Sequence, residues 1–161
     1  MKLKWKYAKP LESKRLIDEY EKIRGYEFPR SFREVVIKNN GGMPNKTAFN
    51  TQQGEYDMGY LLSFNLNEEE ISIWDIIDIY NSNIAVAAES AARIGDFSEF
   101  RALSHIQSRY VIFADTPFGD DIAFDKMDDS VVYINNDTLE IEHIADSFDE
   151  FLECLFDEDE E

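Results

Sequence analysis

Cysteine and histidine are scarce in this sequence, and their scarcity limits the chemistry that the chain can perform. Among 161 residues there is one cysteine, Cys154, so no disulfide can form within the chain and no zinc site can be built from several thiolates. The two histidines, His105 and His143, lie far apart in the sequence. We interpret His143, on an alternating strand, as a surface or a satisfied histidine rather than a base, and Cys154 as a weakly buried, inert thiol on a helix.

Long apolar runs are also absent. The N-terminal stretch MKLKWKYAKPLESK has no apolar core of signal-peptide length. No run elsewhere reaches the about 18 apolar residues of a membrane-spanning helix. We therefore expect a soluble, cytoplasmic protein. The length suggests one domain over residues 1–161 with an acidic tail at 157–161, and 12 Phe, 8 Tyr and 2 Trp supply its core.

Positive charge is scarce beyond residue 46. The whole chain has 16 basic and 34 acidic residues, a net charge of −18. Residues 1–46 contain 12 basic and 6 acidic side chains, whereas residues 47–161 contain 4 basic and 28 acidic ones. The negative electrostatic field of such a chain repels nucleic acid and membranes and attracts basic partners. Two interpretations remain open: the acidity maintains solubility, or it recognises a basic protein.

Hydrophobic periodicity predicts both strands and helices. The alternation in KLKWKYA predicts a strand whose lysines suit an exposed edge. Capping residues followed by apolar residues at helical spacing predict helices that begin near Ser13, Pro29, Ser72 and Ser147. The helix after Ser72 is expected to end near Asn81, and an alanine-rich helix is expected within residues 84–103.

The remaining apolar runs predict a mostly antiparallel sheet. RYVIFAD pairs with IAFD, VVYIN pairs with LEIEHI through an Asn-Asn-Asp turn, and YDMGYLLSFNL at residues 56–66 resembles a further strand. Consecutive hairpins imply antiparallel pairing, and the helices must pack against the sheet. The predicted fold class is therefore α+β, with about 4–6 strands.

The stretch FADTPFGDDIAFD, residues 113–125, suggests three kinds of loop. A calcium loop beginning at Asp115 fails, because Pro117 and Gly119 stand where oxygen ligands are required. A phosphate-binding loop needs several glycines and usually a lysine, and the two aspartates here would repel phosphate. A turn between two strands needs only proline and glycine between apolar runs, and we favour that interpretation.

Carboxylate pairs carry no catalytic signal in so acidic a chain. With 34 acidic residues some adjacency is unavoidable, and Asp128-Asp129 is interpreted as the end of a loop rather than an acid/base pair.

Three segments, taken together, resemble the SUKH family. The first is EKIRGYEFPRSFREVVIKNNGGMP, whose signature positions are Glu21, Gly25, Phe28-Pro29, Phe32, Val35-Val36, Asn40-Gly41-Gly42 and Pro44. FADTPFGDDIAFD resembles the family's central strand-turn-strand, and IADSFDEFLECL resembles its closing helix. Phe28 stands where leucine is more usual, and residues 82–108 match no part of the pattern.

The resemblance implies a non-enzymatic α+β domain without cofactor or metal. Bacterial members are commonly immunity proteins that bind and neutralise toxin domains, frequently nucleases, of contact-dependent or polymorphic toxin systems; fungal members are regulators of cell-wall assembly. Our first hypothesis is accordingly an immunity protein for a cognate toxin with a basic surface. The alternatives are a regulatory interaction scaffold and, thirdly, a metal-dependent enzyme with carboxylate ligands.

An acidic binder would occupy a basic cleft and associate quickly by electrostatic steering. Candidate contacts are outward acids with nearby aromatic anchors: Glu55, Tyr56, Asp57, Tyr60, Asp120, Asp121, Glu140 and Glu142.

Overall fold

The structure, a computed structural model, describes residues 3–157. Lys2 and residues 158–161 of the predicted acidic tail lie outside the described residues. The helices are Arg15–Arg24 (α1), Arg30–Asn39 (α2), Ile73–Ile94 (α3), Ser98–Arg109 (α4) and Phe148–Cys154 (α5). The strands are Trp5–Lys6 (β1), Met43–Pro44 (β2), Ala48–Thr51 (β3), Gly54–Asp57 (β4), Tyr110–Asp115 (β5), Asp121–Asp125 (β6), Val131–Ile134 (β7) and Ile141–Ala145 (β8).

The main sheet is an antiparallel meander in the order β5-β6-β7-β8. Two short two-stranded sheets accompany it, β1 with β2 and the hairpin of β3 with β4, both antiparallel. The predicted α+β class with a mostly antiparallel sheet is therefore confirmed. Both predicted hairpins of the main sheet form, and a bulge shifts the β5–β6 register between Ile112 and Ala114.

The strand predicted over residues 56–66 is wrong beyond Asp57. Residues 59–62 instead lie along the outer edge of β5: Gly59 N–H donates to the Asp115 carbonyl (2.9 Å) and Leu62 N–H to the Phe113 carbonyl (2.9 Å). A Cβ on Gly59 would lie 2.2 Å from Oδ1 of Asp115. The backbone bends where only glycine leaves room for that carboxylate, and regular strand geometry is lost.

Aromatic rings fill the space between the sheet and α2 and α5. Phe113 and Phe124 stack with centroids 4.4 Å apart, and Phe32 and Phe148 meet them from the two helices. All four side chains are buried. Burial of each such ring contributes about 1.5–3 kcal/mol, so this cluster anchors α2 and α5 to the sheet.

Helix α3 runs well past its predicted end. The capping box at its start forms as predicted, with Ser72 accepting from Asp75 N–H and the Asp75 carboxylate accepting from Ser72 N–H. Asn81 does not end the helix, because its exposed amide accepts a hydrogen bond from Gln107 of α4 (2.7 Å). The helix continues to Gly95, whose φ of +76° suits glycine.

Candidate protein-interaction site

The turn between β5 and β6 is organised by one hydroxyl. Thr116 Oγ1 accepts from the N–H of Phe118 (3.3 Å) and of Asp120 (3.1 Å), and Gly119 adopts a φ of +81°. The loop in FADTPFGDDIAFD is thus a turn between strands, as predicted.

Asp120 faces inward, contrary to the expectation that it is an outward contact. Its Oδ2 accepts from the Tyr133 hydroxyl (2.5 Å) and its Oδ1 accepts from Asn136 N–H (2.9 Å). Burial, together with the Asp120 carboxylate, raises the pKa of Tyr133. The carboxylate therefore ties the β5–β6 turn to the β7–β8 turn, a positioning role that fixes the loops on which neighbouring side chains stand.

Two aromatic side chains, Tyr56 and Phe118, form a surface that we call the aromatic ledge. Tyr56 is half-buried and stacks on Tyr133 with centroids 4.4 Å apart. Phe118 is 57% exposed and packs edge-on against Tyr56 at 6.3 Å. Phe118 is not among the predicted contacts because it stands in a Pro-x-Gly turn; a large aromatic residue at such a position is the signal that could have identified it.

Four further candidate carboxylates lie on β4, on β8 and in the turn before β8. Glu55 and Glu140 are exposed, whereas Asp57 and Glu142 are half-buried. Asp57 accepts from the Thr47 hydroxyl (3.1 Å), and Glu142 accepts from Gln53 N–H (3.1 Å), which links the β3–β4 hairpin to β8. The structure thus brings Tyr56, Asp120 and Glu142 together through their shared neighbours.

Tyr60 and Asp121 belong to another part of the surface. Tyr60 lies on the segment beside β5 and packs against Tyr7 at 6.2 Å. Asp121 is half-buried rather than outward, and in the β6–β7 register it opposes Ile134, one residue from the Tyr133 pair. Because alternate strand residues point to opposite faces, Asp121 faces away from Tyr133.

Asp121 lines a cleft of about 420 Å³ between α3, the β5–β6 turn and the β7–β8 turn, which we call the α3 cleft. Its walls are mostly apolar, and Asp115, Asp121, Asn136 and Tyr80 are among its polar lining residues. Burial, with the charges of Asp115 and Asp120, raises the pKa of Asp121 to about 6, and the hydrogen bond from Asn136 opposes that rise. Burial also raises the pKa of Asp115.

The residues weighed for catalysis are dispersed. His143 is exposed and lies 3.0 Å from Asp146, and His105 is exposed beside Tyr110. Cys154 is exposed rather than weakly buried, and desolvation with two neighbouring glutamates raises its thiol pKa, which disfavours the reactive thiolate. Within residues 3–157, no group of three or more His, Cys, Asp or Glu side chains is arranged to hold a metal ion.

Asp128 and Asp129 stand at the loop between β6 and β7, where they were expected. Asp128 accepts from Ser130 N–H and Asp129 from the Tyr26 hydroxyl. In the described part of the chain, no helix has the length and apolar character needed to cross a membrane.

The sequence of this chain matches a known protein family over most of its length. A sequence profile described as SMI1 / KNR4 family (SUKH-1) matches residues 12–154. The chain belongs to this SUKH-1 family. The match covers α1 to α5 and therefore includes the first two segments whose resemblance was noted in the sequence and all but the last residue of the third. No curated protein matches the chain.

The SUKH-1 signature residues have structural roles in this fold. Glu21 accepts from Phe28 N–H (2.7 Å) and from Arg33 (2.7 Å), and so fixes the α1–α2 connection. Gly25 ends α1 with a φ of +62°. Asn40 is buried and accepts from Phe64 N–H (3.0 Å), which holds the irregular segment after β4 against α2. These residues position the surfaces described above and are not part of them.

Proposed function

We propose that the chain is an immunity protein that binds and neutralises a cognate toxin domain with a basic surface. Membership of SUKH-1 makes protein binding the natural function, since bacterial SUKH proteins commonly act in this way. The observation that carries the proposal is the aromatic ledge, an exposed Phe118 on a half-buried Tyr56, with carboxylates on β4, on β8 and in the turn before β8. An aromatic anchor within a polar rim is the usual anatomy of a protein-binding surface.

The charge distribution favours a basic partner. Residues 47–161 supply the ledge and its rim, and they contain 28 acidic against 4 basic side chains. A nuclease needs a basic cleft to hold phosphate groups, and an acidic surface can fill that cleft in place of nucleic acid. Steering between opposite charges raises the association rate, which suits an inhibitor that must act before its target does.

The ledge is also held rigidly before any partner arrives. Tyr56 stacks on the buried Tyr133, and the Phe118 turn is fixed by Thr116 and Asp120. A preorganised surface loses less conformational entropy on binding, so more of the contact energy is retained as affinity.

The experiment is binding and rescue with the toxin domain encoded beside this gene. We expect a complex whose association rate falls between about 50 and about 300 mM salt. Phe118→Ser and Glu55→Lys should each weaken it by about tenfold or more. Glu27→Lys, the same charge change at an exposed site on the α1–α2 connection, should leave it unchanged.

Toxin rescue separates this function from the regulatory scaffold. Co-expression should restore growth to cells that produce the toxin domain, and Phe118→Ser should abolish the protection. If the neighbouring toxin is neither bound nor blocked, the immunity function is refuted and a scaffold for another partner takes its place.

A further inference from the structure

Two carboxylates oppose each other at the end of the main sheet. Asp115 of β5 and Asp121 of β6 are register partners, and both are half-buried and line the α3 cleft. Like charges placed directly opposite on antiparallel strands destabilise the sheet. Nothing in the turn chemistry requires acids at these two positions, because Thr116 and Gly119 already form the turn.

The cleft also presents hydrogen-bonding atoms without partners. Asp115 accepts from Tyr60 N–H at Oδ1, and Asp121 accepts from Asn136 at Oδ2. Across residues 3–157, their second carboxylate oxygens accept no hydrogen bond from another residue. Tyr80, which is 6% exposed and lines the same cleft, has no hydrogen-bond partner for its hydroxyl within that range. These atoms keep some contact with solvent, since in that range the fully buried side-chain polar atom without a partner is the Tyr20 hydroxyl, and the cleft therefore offers free hydrogen-bonding capacity to a ligand.

A catalytic dyad and a metal site both fit the carboxylate pair poorly. In the described chain no hydrogen bond joins Asp115 to Asp121, so the two do not share a proton as a catalytic dyad does. The carboxylates are also not part of a group of three or more His, Cys, Asp or Glu side chains there that could hold a metal ion. A hydrogen-bond donor that carries positive charge and tolerates apolar walls would complement this pair.

We propose that the α3 cleft binds the guanidinium group of an arginine side chain that the protein partner presents, with apolar neighbours of that arginine against Ile79 and Leu139. The inference rests on the proposed function for the identity of the partner. A guanidinium carries several donors in one plane and is more weakly hydrated than an ammonium, so it can satisfy two separated carboxylates inside an apolar cleft. The cleft volume of about 420 Å³ leaves room for flanking side chains.

The first test is titration of the full chain, followed by NMR, with the peptide N-acetyl-Leu-Arg-Leu-amide. We expect saturable shifts at Asp121, Asn136 and Leu139. The same peptide with citrulline in place of arginine keeps the shape and loses the charge, and should bind about tenfold more weakly or worse. Equal binding of both peptides, or shifts elsewhere on the surface, would overturn the inference.

Variants identify the groups responsible. Asp121→Asn should weaken the arginine peptide by about fivefold or more and leave the citrulline peptide unchanged. Tyr80→Phe removes only the hydroxyl and should weaken the arginine peptide to a smaller extent. Glu89→Gln, the same charge change at an exposed site further along α3, should have no effect. A loss of both peptides together in Asp121→Asn would indicate a structural defect and would refute the assigned role.

The pH dependence gives a readout that a structural role would not produce. Arginine-peptide affinity should rise between about pH 5 and 7, because Asp121 titrates near 6 and must ionise to pair with the cation. The charged and titratable groups around it are Asp115, Asp120, Tyr80 and, acting on Tyr80, Arg24. In Asp121→Asn the rise should disappear; an unchanged pH profile would contradict the assignment.

Failure of this inference can be told apart from failure of the proposed function. If the toxin domain binds wild type and Asp121→Asn equally but loses affinity with Phe118→Ser, only the arginine site is refuted. If the toxin domain never binds, the proposed function falls, and so does the origin of the arginine in that partner.

Discussion

Replacing Asp121 with asparagine should make the folded protein more stable at neutral pH. Burial and the neighbouring acids raise the carboxyl pKa from 3.8 to about 6. The folded state therefore binds this proton more tightly than the unfolded state does, and ionisation at neutral pH acts against folding. Asparagine keeps an oxygen that can accept the Asn136 hydrogen bond while removing the charge opposite Asp115.

The size of the effect follows from the pKa. A shift of about two units corresponds to about 3 kcal/mol at pH values above 6. Part of that energy is shared with Asp115 and Asp120, so we expect Asp121→Asn to gain about 2 kcal/mol at pH 7. Because the pKa is higher in the folded state than in the unfolded state, wild-type stability falls as pH rises from about 4 to about 6 and then levels off. The gain should fall below about 1 kcal/mol at about pH 4, where the folded-state carboxyl is protonated and the unfolded-state carboxyl, with its pKa of 3.8, is only about half ionised.

Urea unfolding of both proteins at about pH 4 and about pH 7, followed by tryptophan fluorescence, measures this difference directly. Glu89→Gln serves as the matched control and should change the free energy of unfolding by less than about 0.5 kcal/mol at either pH. A variant no more stable than wild type at pH 7, or an equal gain at both pH values, would refute the reasoning.

Three further substitutions test the fold that supports the site, each by urea unfolding. Glu21→Ala removes both hydrogen bonds that fix the α1–α2 connection and should cost about 3 kcal/mol, whereas Glu19→Ala on the exposed side of the same helix should stay within about 0.5 kcal/mol; equal effects would contradict the role of Glu21. Gly59→Ala should cost about 1–3 kcal/mol because its Cβ would meet Asp115, and a neutral result would show that the segment beside β5 can shift freely. Tyr20→Phe should be neutral or stabilising by up to about 1 kcal/mol, since within residues 3–157 this buried hydroxyl finds no hydrogen-bond acceptor or donor, and a clear loss of stability would reveal one.

Local sequence signals predicted the elements that depend on local contacts. The Ser72 and Ser147 caps act within one helical turn, and the paired strands of the main sheet carry their own apolar patterns. Asn81 was misread because its partner, Gln107, lies on another helix. The segment after Asp57 was misread because its path follows the edge of β5, which no local pattern reveals.

The site was predictable only in outline. Acidity and a protein partner follow from composition, but the direction of each side chain depends on register. A bulge at Phe113 aligns Asp115 with Asp121 and turns both into the α3 cleft. Asp120, the residue before Asp121, accepts a hydrogen bond from Tyr133 on β7, a strand that only the folded sheet brings near.

The residues that run beside β5 have a consequence for how this protein can meet others. A bare strand edge invites a foreign strand to extend the sheet, whether from a ligand peptide or from another copy. Here the backbone of residues 59–62 already forms hydrogen bonds with the edge of β5 at Phe113 and Asp115. Near Phe113 and Asp115, another protein must therefore engage this side through projecting side chains, and a second copy of the chain cannot extend the sheet there.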